Sequence, residues 1–255
     1  MLRKTRILLA SLFFVGITLL FLDFTGIAHA WLGWMARLQF LPAVLALNVA
    51  VVALLVVLTL LFGRVYCSVI CPLGVMQDIV SWLSGKRKGK KFRFSYSSEK
   101  RWLRYGVFVL FIAAMLAGVG SFVALLAPYS SFGRMVQNLL SPLYLWGNNV
   151  LAYLAERADS YLFYEKELWL RSLPTFIIAA VSFVFVVILA WKGGRTYCNT
   201  VCPVGTVLGF LSRFSLFRIT IDEEKCIGCG ACENLCPARP FSAIYVEGHE
   251  VHRTI

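Results

Sequence analysis

The sequence predicts an all-α integral membrane protein with four transmembrane helices, arranged as two parallel two-span repeats and followed by a small C-terminal module. Three observations support this prediction. Of the 255 residues, 59% are apolar and 15% are charged, with a mean hydropathy of +0.75, whereas an average soluble domain has about 25% charged residues. Four apolar stretches approach or reach spanning length, and one cysteine motif occurs twice. The composition excludes a soluble globular domain, a disordered tail and a fibrous repeat.

The four apolar stretches lack charged residues and suit a hydrocarbon layer of roughly 30 Å. They are Ile7–Leu22, Leu41–Phe62, Tyr105–Ala127 and Leu173–Trp191. The first has an alternative interpretation as a signal peptide, because basic residues precede it and Ala28-His29-Ala30 has the form of a cleavage site. We expect it to be retained as a span, since its apolar run is long for a signal.

The distribution of charge predicts the orientation of the spans. With a cytoplasmic N-terminus, the outer segments 23–39 and 128–172 hold five basic and five acidic residues, and the inner segments hold the other 20 basic and eight acidic residues. The whole net charge of +12 then lies on one side, which the positive-inside rule makes the cytoplasm. We therefore expect a multi-pass protein of the bacterial cytoplasmic (inner) membrane with both termini cytoplasmic. The densest basic run, Lys86–Lys91, would contact anionic membrane lipid; a dock for an acidic redox partner is the alternative, and nucleic acid is not expected as a partner.

An internal repeat sets the domain organisation. The segment from Arg64 to Gly74 (RVYCSVICPLG) recurs from Arg195 to Gly205 (RTYCNTVCPVG), at an offset of 131 residues. Self-similarity of this kind indicates a duplicated structural unit. We predict residues 1–101 as the first two-span repeat, 102–216 as the second with a long outer loop, and 217–255 as the C-terminal module. A pseudo-twofold axis would place the two Cys-x3-Cys-Pro pairs at the same depth, facing each other.

The C-terminal module contains a second cysteine pattern. Residues 226–237 (CIGCGACENLCP) have the bacterial ferredoxin spacing C-x2-C-x2-C-x3-C-P, which binds iron–sulfur clusters. Gly228 and Gly230 permit the tight turns that such a loop needs. The flanking segments Phe217–Ile221 and Ala243–Val246 are expected to be short strands, which gives a small ferredoxin-like cytoplasmic module. Zinc is the alternative metal, but structural zinc prefers two separated pairs of ligands.

All eight cysteines lie in these motifs, on the reducing side of the membrane, so a disulfide framework is disfavoured. Eight thiolates suffice for two [4Fe–4S] clusters, and we predict all eight as metal and cofactor ligands and none as a catalytic residue. They are Cys67, Cys71, Cys198, Cys202, Cys226, Cys229, Cys232 and Cys236. For the Cys-x3-Cys-Pro pairs, the alternative is a structural role as buried thiols at helix ends.

Two divisions of the cysteines between the clusters are open. In the first, each motif set holds its own cluster, four cysteines to each. In the second, the arrangement is crossed: Cys226, Cys229 and Cys232 take a cysteine from a Cys-Pro pair, and Cys236 joins the remaining three. The sequence favours the crossed arrangement, because a second ferredoxin run is missing and two Cys-Pro endings are present to replace it.

The duplicated Tyr-Cys-x3-Cys-Pro-x-Gly segments and the ferredoxin run together resemble the NapH/NosR-type membrane ferredoxin family, over nearly the whole chain. The resemblance implies four spans, cytoplasmic clusters and electron transfer between the quinone pool or a cytoplasmic donor and a partner redox enzyme pathway, for instance as a component of a quinol dehydrogenase. The chain departs from NapH-like proteins in having one ferredoxin run instead of two, and it lacks the outer flavin-binding domain of NosR-like proteins. The alternative function is an iron–sulfur assembly or redox-sensing protein that supports maturation of a metalloenzyme.

Two further segments carry expectations of their own. The aromatic segment Pro128–Ser172 is expected to form interfacial helices, with a quinone pocket or a partner surface as the alternative. Asn48 lies inside the second apolar stretch and is expected to form an interhelical hydrogen bond. The sequence leaves the electron donor, the acceptor and the direction of electron flow open.

Overall fold

The computed structural model of the chain describes residues 2–23, 26–87, 101–157, 172–217, 244–247 and 250–253. Within them the chain is almost entirely helical, as predicted. The helices are α1 (Leu2–Leu22), α2 (Ile27–Arg37), α3 (Phe40–Leu45), α4 (Val49–Phe62), α5 (Pro72–Arg87), α6 (Arg101–Leu116), α7 (Gly120–Leu126), α8 (Pro128–Met135), α9 (Ser141–Glu156), α10 (Leu173–Gly193), α11 (Thr196–Thr200) and α12 (Pro203–Leu211). π-Helical turns cover Tyr66–Ile70 and Val136–Leu140, a 3-10 turn covers Ser212–Phe214, and the strands are β1 (Ile244–Glu247) and β2 (Glu250–Arg253).

Two helices in the described part of the chain are long and apolar enough to cross a membrane by length and composition. They are Lys4–Leu22, which lies within α1, and α10. Only 22% and 17% of their most apolar stretches are buried by the rest of the chain. Apolar helices with so little protein cover are what a lipid environment accommodates.

The second and third apolar stretches are not continuous helices, so the described residues do not confirm the prediction of four transmembrane helices. The stretch 41–62 is broken between α3 and α4, where Leu47 has a φ of 52°. The stretch 105–127 is broken between α6 and α7, where Gly118 has a φ of 73°. A left-handed residue ends an α-helix, because the chain there leaves the right-handed path.

Asn48 marks the first of these breaks and has a local role. Its side-chain oxygen accepts a hydrogen bond of 3.3 Å from the Val51 N–H and so caps the N-terminus of α4. Asparagine is a preferred N-cap residue because it satisfies an amide that has no partner within the helix. The expected interhelical hydrogen bond from this residue is therefore wrong.

The two repeats pack across each other. Helix α5 of the first repeat lies against α10 of the second, and α12 of the second lies against α4 of the first. The Ser84 hydroxyl donates to the Trp191 carbonyl at 3.1 Å in the first of these contacts. Beyond α12 and the 3-10 turn, the backbone N–H groups of Leu216 and Phe217 donate to carbonyls at the end of α4, at 2.7 and 3.0 Å. This exchange brings the two cysteine motifs into one interior.

The segment after Pro128 forms helices, as expected. It begins with α8, continues through the second π-helical turn into α9, and residues 158–171 lie outside the described part. Helix α8 packs on α1, where Phe132 lies 5.4 Å from Phe14 and 6.4 Å from Phe21 between ring centroids. These aromatic contacts hold the beginning of the expected outer loop against the first helix.

The strand expected at Ala243–Val246 corresponds to β1. It pairs antiparallel with β2, with Ile244 opposite Arg253. Of the other expected strand, Phe217–Ile221, only Phe217 is described, and it lies in a bend after the 3-10 turn.

Candidate metal centre

The four cysteines of the two repeats lie in one buried region. Cys67 lies in the first π-helical turn and Cys71 immediately follows it, while Cys198 lies in α11 and Cys202 immediately precedes α12. All four are free thiols, and each side chain is between 3% and 6% exposed. Cys71 and Cys198 lie close enough for the charge of one to affect the other, and Cys202 is influenced by the other three. Arg64 contacts Asn199 of the second motif, and Gln77 contacts Cys198, so the two motifs lie next to each other, as the sequence predicted.

In the described residues, no three side chains of His, Cys, Asp or Glu converge to hold a single metal ion. A four-iron cluster takes one thiolate on each of its irons, so its ligands surround the cluster instead of meeting at one point. Four buried thiols from two facing motifs suit such a ligand set in number and chemistry.

Each motif folds its cysteine pair in the same way. The N–H of the second cysteine donates to the carbonyl of the tyrosine five residues earlier, Cys71 to Tyr66 at 2.9 Å and Cys202 to Tyr197 at 3.0 Å. The proline that follows then starts a new helix, where its missing N–H costs nothing. The Cys-x3-Cys-Pro spacing therefore produces a closed turn between two helices.

The glycine of each motif is required by a close backbone approach. A Cβ atom on Gly74 would overlap the carbonyl oxygen of Cys67, and a Cβ atom on Gly205 would overlap that of Cys198. Neither neighbour is the mobile end of a side chain, so an alanine at either position must displace backbone. Glycine is thus part of the motif for a steric reason. The sequence shows that the glycine is repeated, and the structure shows why.

The N-termini of α5 and α12 supply amide donors to the sulfurs. The Gly205 N–H donates to Cys202 Sγ at 3.4 Å, and the Leu73 and Gly74 amides donate to Cys71. Amides at a helix N-terminus stabilise negative charge, which favours the thiolate form that binds iron.

An arginine precedes each cysteine pair and crosses to the opposite repeat. Arg195 Nε donates to Asp78 Oδ1 at 2.6 Å, and Arg195 Nη2 donates to Asp78 Oδ2. Arg64 Nη1 donates to the Asn199 side chain at 2.8 Å. The position that corresponds to Asp78 in the second repeat is Gly209, and the guanidinium groups of Arg64 and of a buried residue of α6, Arg104, lie against it.

Burial and neighbouring charges act in opposite directions on these thiols. Burial raises the pKa of Cys198 to about 12, with the Cys67 thiol adding to the effect, while Arg195 and the Gln77 side chain lower it. Burial also raises the pKa of Cys67, and Arg195 and Arg64 lower it. Because the thiols are neutral without metal, binding must replace their protons, and the two arginines compensate part of the resulting negative charge.

Two buried residues near the centre have no signal in the motif itself. Gln77 is fully buried, and its Nε2 donates to Cys198 Sγ at 3.1 Å. Gln39, also fully buried, accepts from the Tyr66 hydroxyl at 3.0 Å and donates to the Ile70 carbonyl at 3.2 Å. The available signal for Gln77 was a comparison of the two repeats, because the corresponding position in the second repeat holds the apolar Leu208.

The cysteines of the ferredoxin run, Cys226, Cys229, Cys232 and Cys236, lie outside the described residues. The division of ligands between clusters therefore stays a prediction.

Comparisons with known proteins agree with the cysteine chemistry. A family described as a 4Fe-4S binding domain matches residues 44–91 and 175–221, one segment in each repeat, and another 4Fe-4S binding domain family matches residues 219–242. The chain is therefore an iron–sulfur protein of the 4Fe-4S ferredoxin type. No solved structure matches it.

Three relatives show how similar the chain is to individual proteins. An uncharacterized protein of Methanocaldococcus jannaschii is 26% identical over 89% of this chain and 71% of its own length. The ferredoxin-type protein NapH of Haemophilus influenzae is 29% identical over 75% of this chain and 54% of NapH. The regulatory protein NosR of Stutzerimonas stutzeri is 24% identical over 76% of this chain and 22% of NosR. These similarities support the NapH/NosR-type ferredoxin family that the motifs predicted, and the ferredoxin-type relatives support a role in iron–sulfur electron transfer.

Proposed function

We propose that this chain is a membrane-bound electron carrier with two [4Fe–4S] clusters, which passes electrons between the quinone pool or a cytoplasmic donor and a partner redox protein. The observation that carries the proposal is the burial, in one region, of the four thiols from two facing repeats. In the proposed arrangement Cys67, Cys71, Cys198 and Cys202 hold one cluster. Cys226, Cys229, Cys232 and Cys236 hold the other.

This division differs from the crossed arrangement that the sequence alone favours. The grouping of the four repeat cysteines supplies a complete ligand set without any residue of the ferredoxin run. In the crossed arrangement, one of these four would instead turn to the C-terminal module and Cys236 would take its place.

The protein residues around the repeat cysteines fit a redox cofactor. When bound, a [4Fe–4S] cluster supplies a one-electron redox couple whose potential depends on charge, hydrogen bonds and solvent exposure. The helix-end amides and the two arginines stabilise the negative charge of the thiolates, and the surrounding apolar side chains exclude water. These are the contributions that a protein makes to cofactor chemistry.

The surface of the long helices supports a location in the membrane. Leu8 in α1 and Val181 in α10 are 65% and 63% exposed, and their neighbours along these helices are also apolar. Exposed apolar surface of this extent needs lipid or a partner. The predicted orientation, with the net charge of +12 on the cytoplasmic side, would put the repeat cysteines near the inner face, close to both the quinone pool and a soluble donor.

The proposal is tested by following the clusters during anaerobic reduction of the purified full chain in lipid vesicles. We expect a quinol or a reduced low-potential ferredoxin to bleach the iron–sulfur absorbance reversibly, and a suitable acceptor to restore it. Clusters that assemble fully but exchange electrons with neither donor would contradict the carrier function. That outcome would favour the assembly or redox-sensing role, in line with the regulatory protein among the relatives.

A further inference from the structure

The repeats are symmetric in their cysteines but not in the two polar residues that follow on α5. Gln77 and Asp78 both reach across to the second repeat, Gln77 to Cys198 and Asp78 to Arg195. At the offset of 131 residues their counterparts are Leu208 and Gly209, which have no polar side-chain atoms. The first repeat therefore provides side-chain contacts to the second that the second does not return at these positions.

Gln77 is costly to bury, which indicates a role beyond packing. Its Nε2 makes two hydrogen bonds, to the Leu73 carbonyl at 3.2 Å and to Cys198 Sγ at 3.1 Å. Its carbonyl oxygen Oε1 is buried with no hydrogen-bond partner within the described part of the chain. A buried polar atom without a partner destabilises a fold, whereas Leu208 fills the corresponding position without that cost and is equally buried.

We propose that Gln77 is a positioning residue that sets the reduction potential of one cluster through its hydrogen bond to Cys198. This is the cluster proposed on Cys67, Cys71, Cys198 and Cys202, called here the membrane-side cluster. This inference rests on the proposed function, because it assumes that Cys198 is a cluster ligand. An added electron increases the negative charge on the ligand sulfurs, so a donor to a sulfur stabilises the reduced form more than the oxidised form. Its effect is strong here because the amide is shielded from water. Because Cys67 has no such donor at the corresponding position, the added negative charge is stabilised more on Cys198 than on Cys67.

The test is a redox titration of the full chain in detergent, with each cluster followed by its electron paramagnetic resonance signal. Gln77→Met keeps the approximate volume of the side chain and removes the donor. We expect the ratio of reduced to oxidised membrane-side cluster at a fixed potential to fall about tenfold, which corresponds to about 59 mV for a one-electron couple. The signal of the ferredoxin-run cluster should keep its potential.

Gln39→Met is the matched control, because Gln39 is also a fully buried amide beside the centre but its hydrogen bonds go to Tyr66 and to backbone carbonyls. It should leave the potential of the membrane-side cluster near that of the unaltered chain. Equal potentials in Gln77→Met and the unaltered chain would overturn the inference. Equal shifts of the reduction potential in Gln77→Met and Gln39→Met would also overturn it, because the effect would then come from looser packing around the cluster.

Leu208→Gln provides a second, independent variant in case Gln77→Met fails to assemble. By the repeat symmetry, it places an amide near Cys67, and we expect the potential to rise. An unchanged potential in this variant, when Gln77→Met does not assemble, would overturn the inference. If the unaltered chain contains no membrane-side cluster, the proposed function itself fails, which the iron content reveals before any titration.

Discussion

Arg195 of the second repeat and Asp78 of the first form a two-point ion pair beside the buried cysteines, with 2.6 Å between Arg195 Nε and Asp78 Oδ1. The same guanidinium lowers the pKa of Cys67 and Cys198. This pair therefore joins the two repeats and places a positive charge next to the proposed ligands. A planar guanidinium suits both tasks, because it binds a carboxylate through two parallel hydrogen bonds and stays charged.

Asp78→Ala should weaken the junction between the repeats. The substitution removes charge-assisted hydrogen bonds from Arg195, and we expect a loss on the order of 2 kcal/mol in stability together with a lower iron content. Thermal unfolding in detergent and iron analysis measure the two effects. Asp23→Ala is the control, because Asp23 accepts hydrogen bonds from backbone amides at the start of α2, in an exposed position. An Asp78→Ala chain as stable as the control would contradict a joining role.

Gly74→Ala and Gly205→Ala should each abolish the membrane-side cluster. In both variants the new methyl group would overlap the carbonyl oxygen of the first cysteine of the motif. Because backbone must move, we expect a destabilisation of at least about 2 kcal/mol and loss of about half of the bound iron. Gly147→Ala serves as control, since no atom lies within contact distance of the added methyl group in α9. Full iron content in both motif variants would show that the close approach is not needed.

Gly209→Asp should be tolerated, because it supplies the carboxylate that the second repeat lacks at the position of Asp78. The atoms that an added side chain would meet belong to the guanidinium groups of Arg64 and Arg104, which are positively charged. We expect an unchanged iron content and a melting temperature that is equal or higher. Gly209→Lys brings a third positive charge to the same place and should lower both quantities. The opposite order of the two variants would refute this electrostatic explanation.

Labelling of introduced cysteines tests the orientation. Trp31 and Trp102 are 79% and 95% exposed, and the charge distribution predicts that Trp31 lies outside and Trp102 inside. A membrane-impermeant thiol reagent should label Trp31→Cys in spheroplasts and Trp102→Cys only in inverted vesicles. The unaltered chain gives the background from its own eight cysteines. Labelling with the reverse sidedness would invert the topology.

The parts of the site that sequence predicted well are those that repeat. The identical spacing in the two motifs indicated that Cys67, Cys71, Cys198 and Cys202 would share a location, and their packing agrees. A repeat carries this information because duplicated units tend to associate about a pseudo-symmetry axis.

The features that sequence did not predict depend on local backbone or on tertiary packing. The hydropathy of the two apolar stretches does not show the breaks at Leu47 and Gly118, because hydropathy does not report a change of backbone conformation. The contact between Gln77 and Cys198 joins residues 121 positions apart. Only a comparison of Gln77 with its apolar counterpart Leu208 would have drawn attention to it.

The central claim is that the cysteines of the two repeats hold a cluster of their own. Its most direct test is the iron and sulfide content of the full chain, anaerobically purified, in which Cys226, Cys229, Cys232 and Cys236 are all replaced by serine. The unaltered chain should contain about eight irons and eight sulfides, as two four-iron clusters require. The variant should retain about four of each, with the optical and magnetic spectra of a four-iron cluster. A folded variant without iron would contradict the claim and would support the crossed arrangement, in which Cys236 is a ligand of the membrane-side cluster.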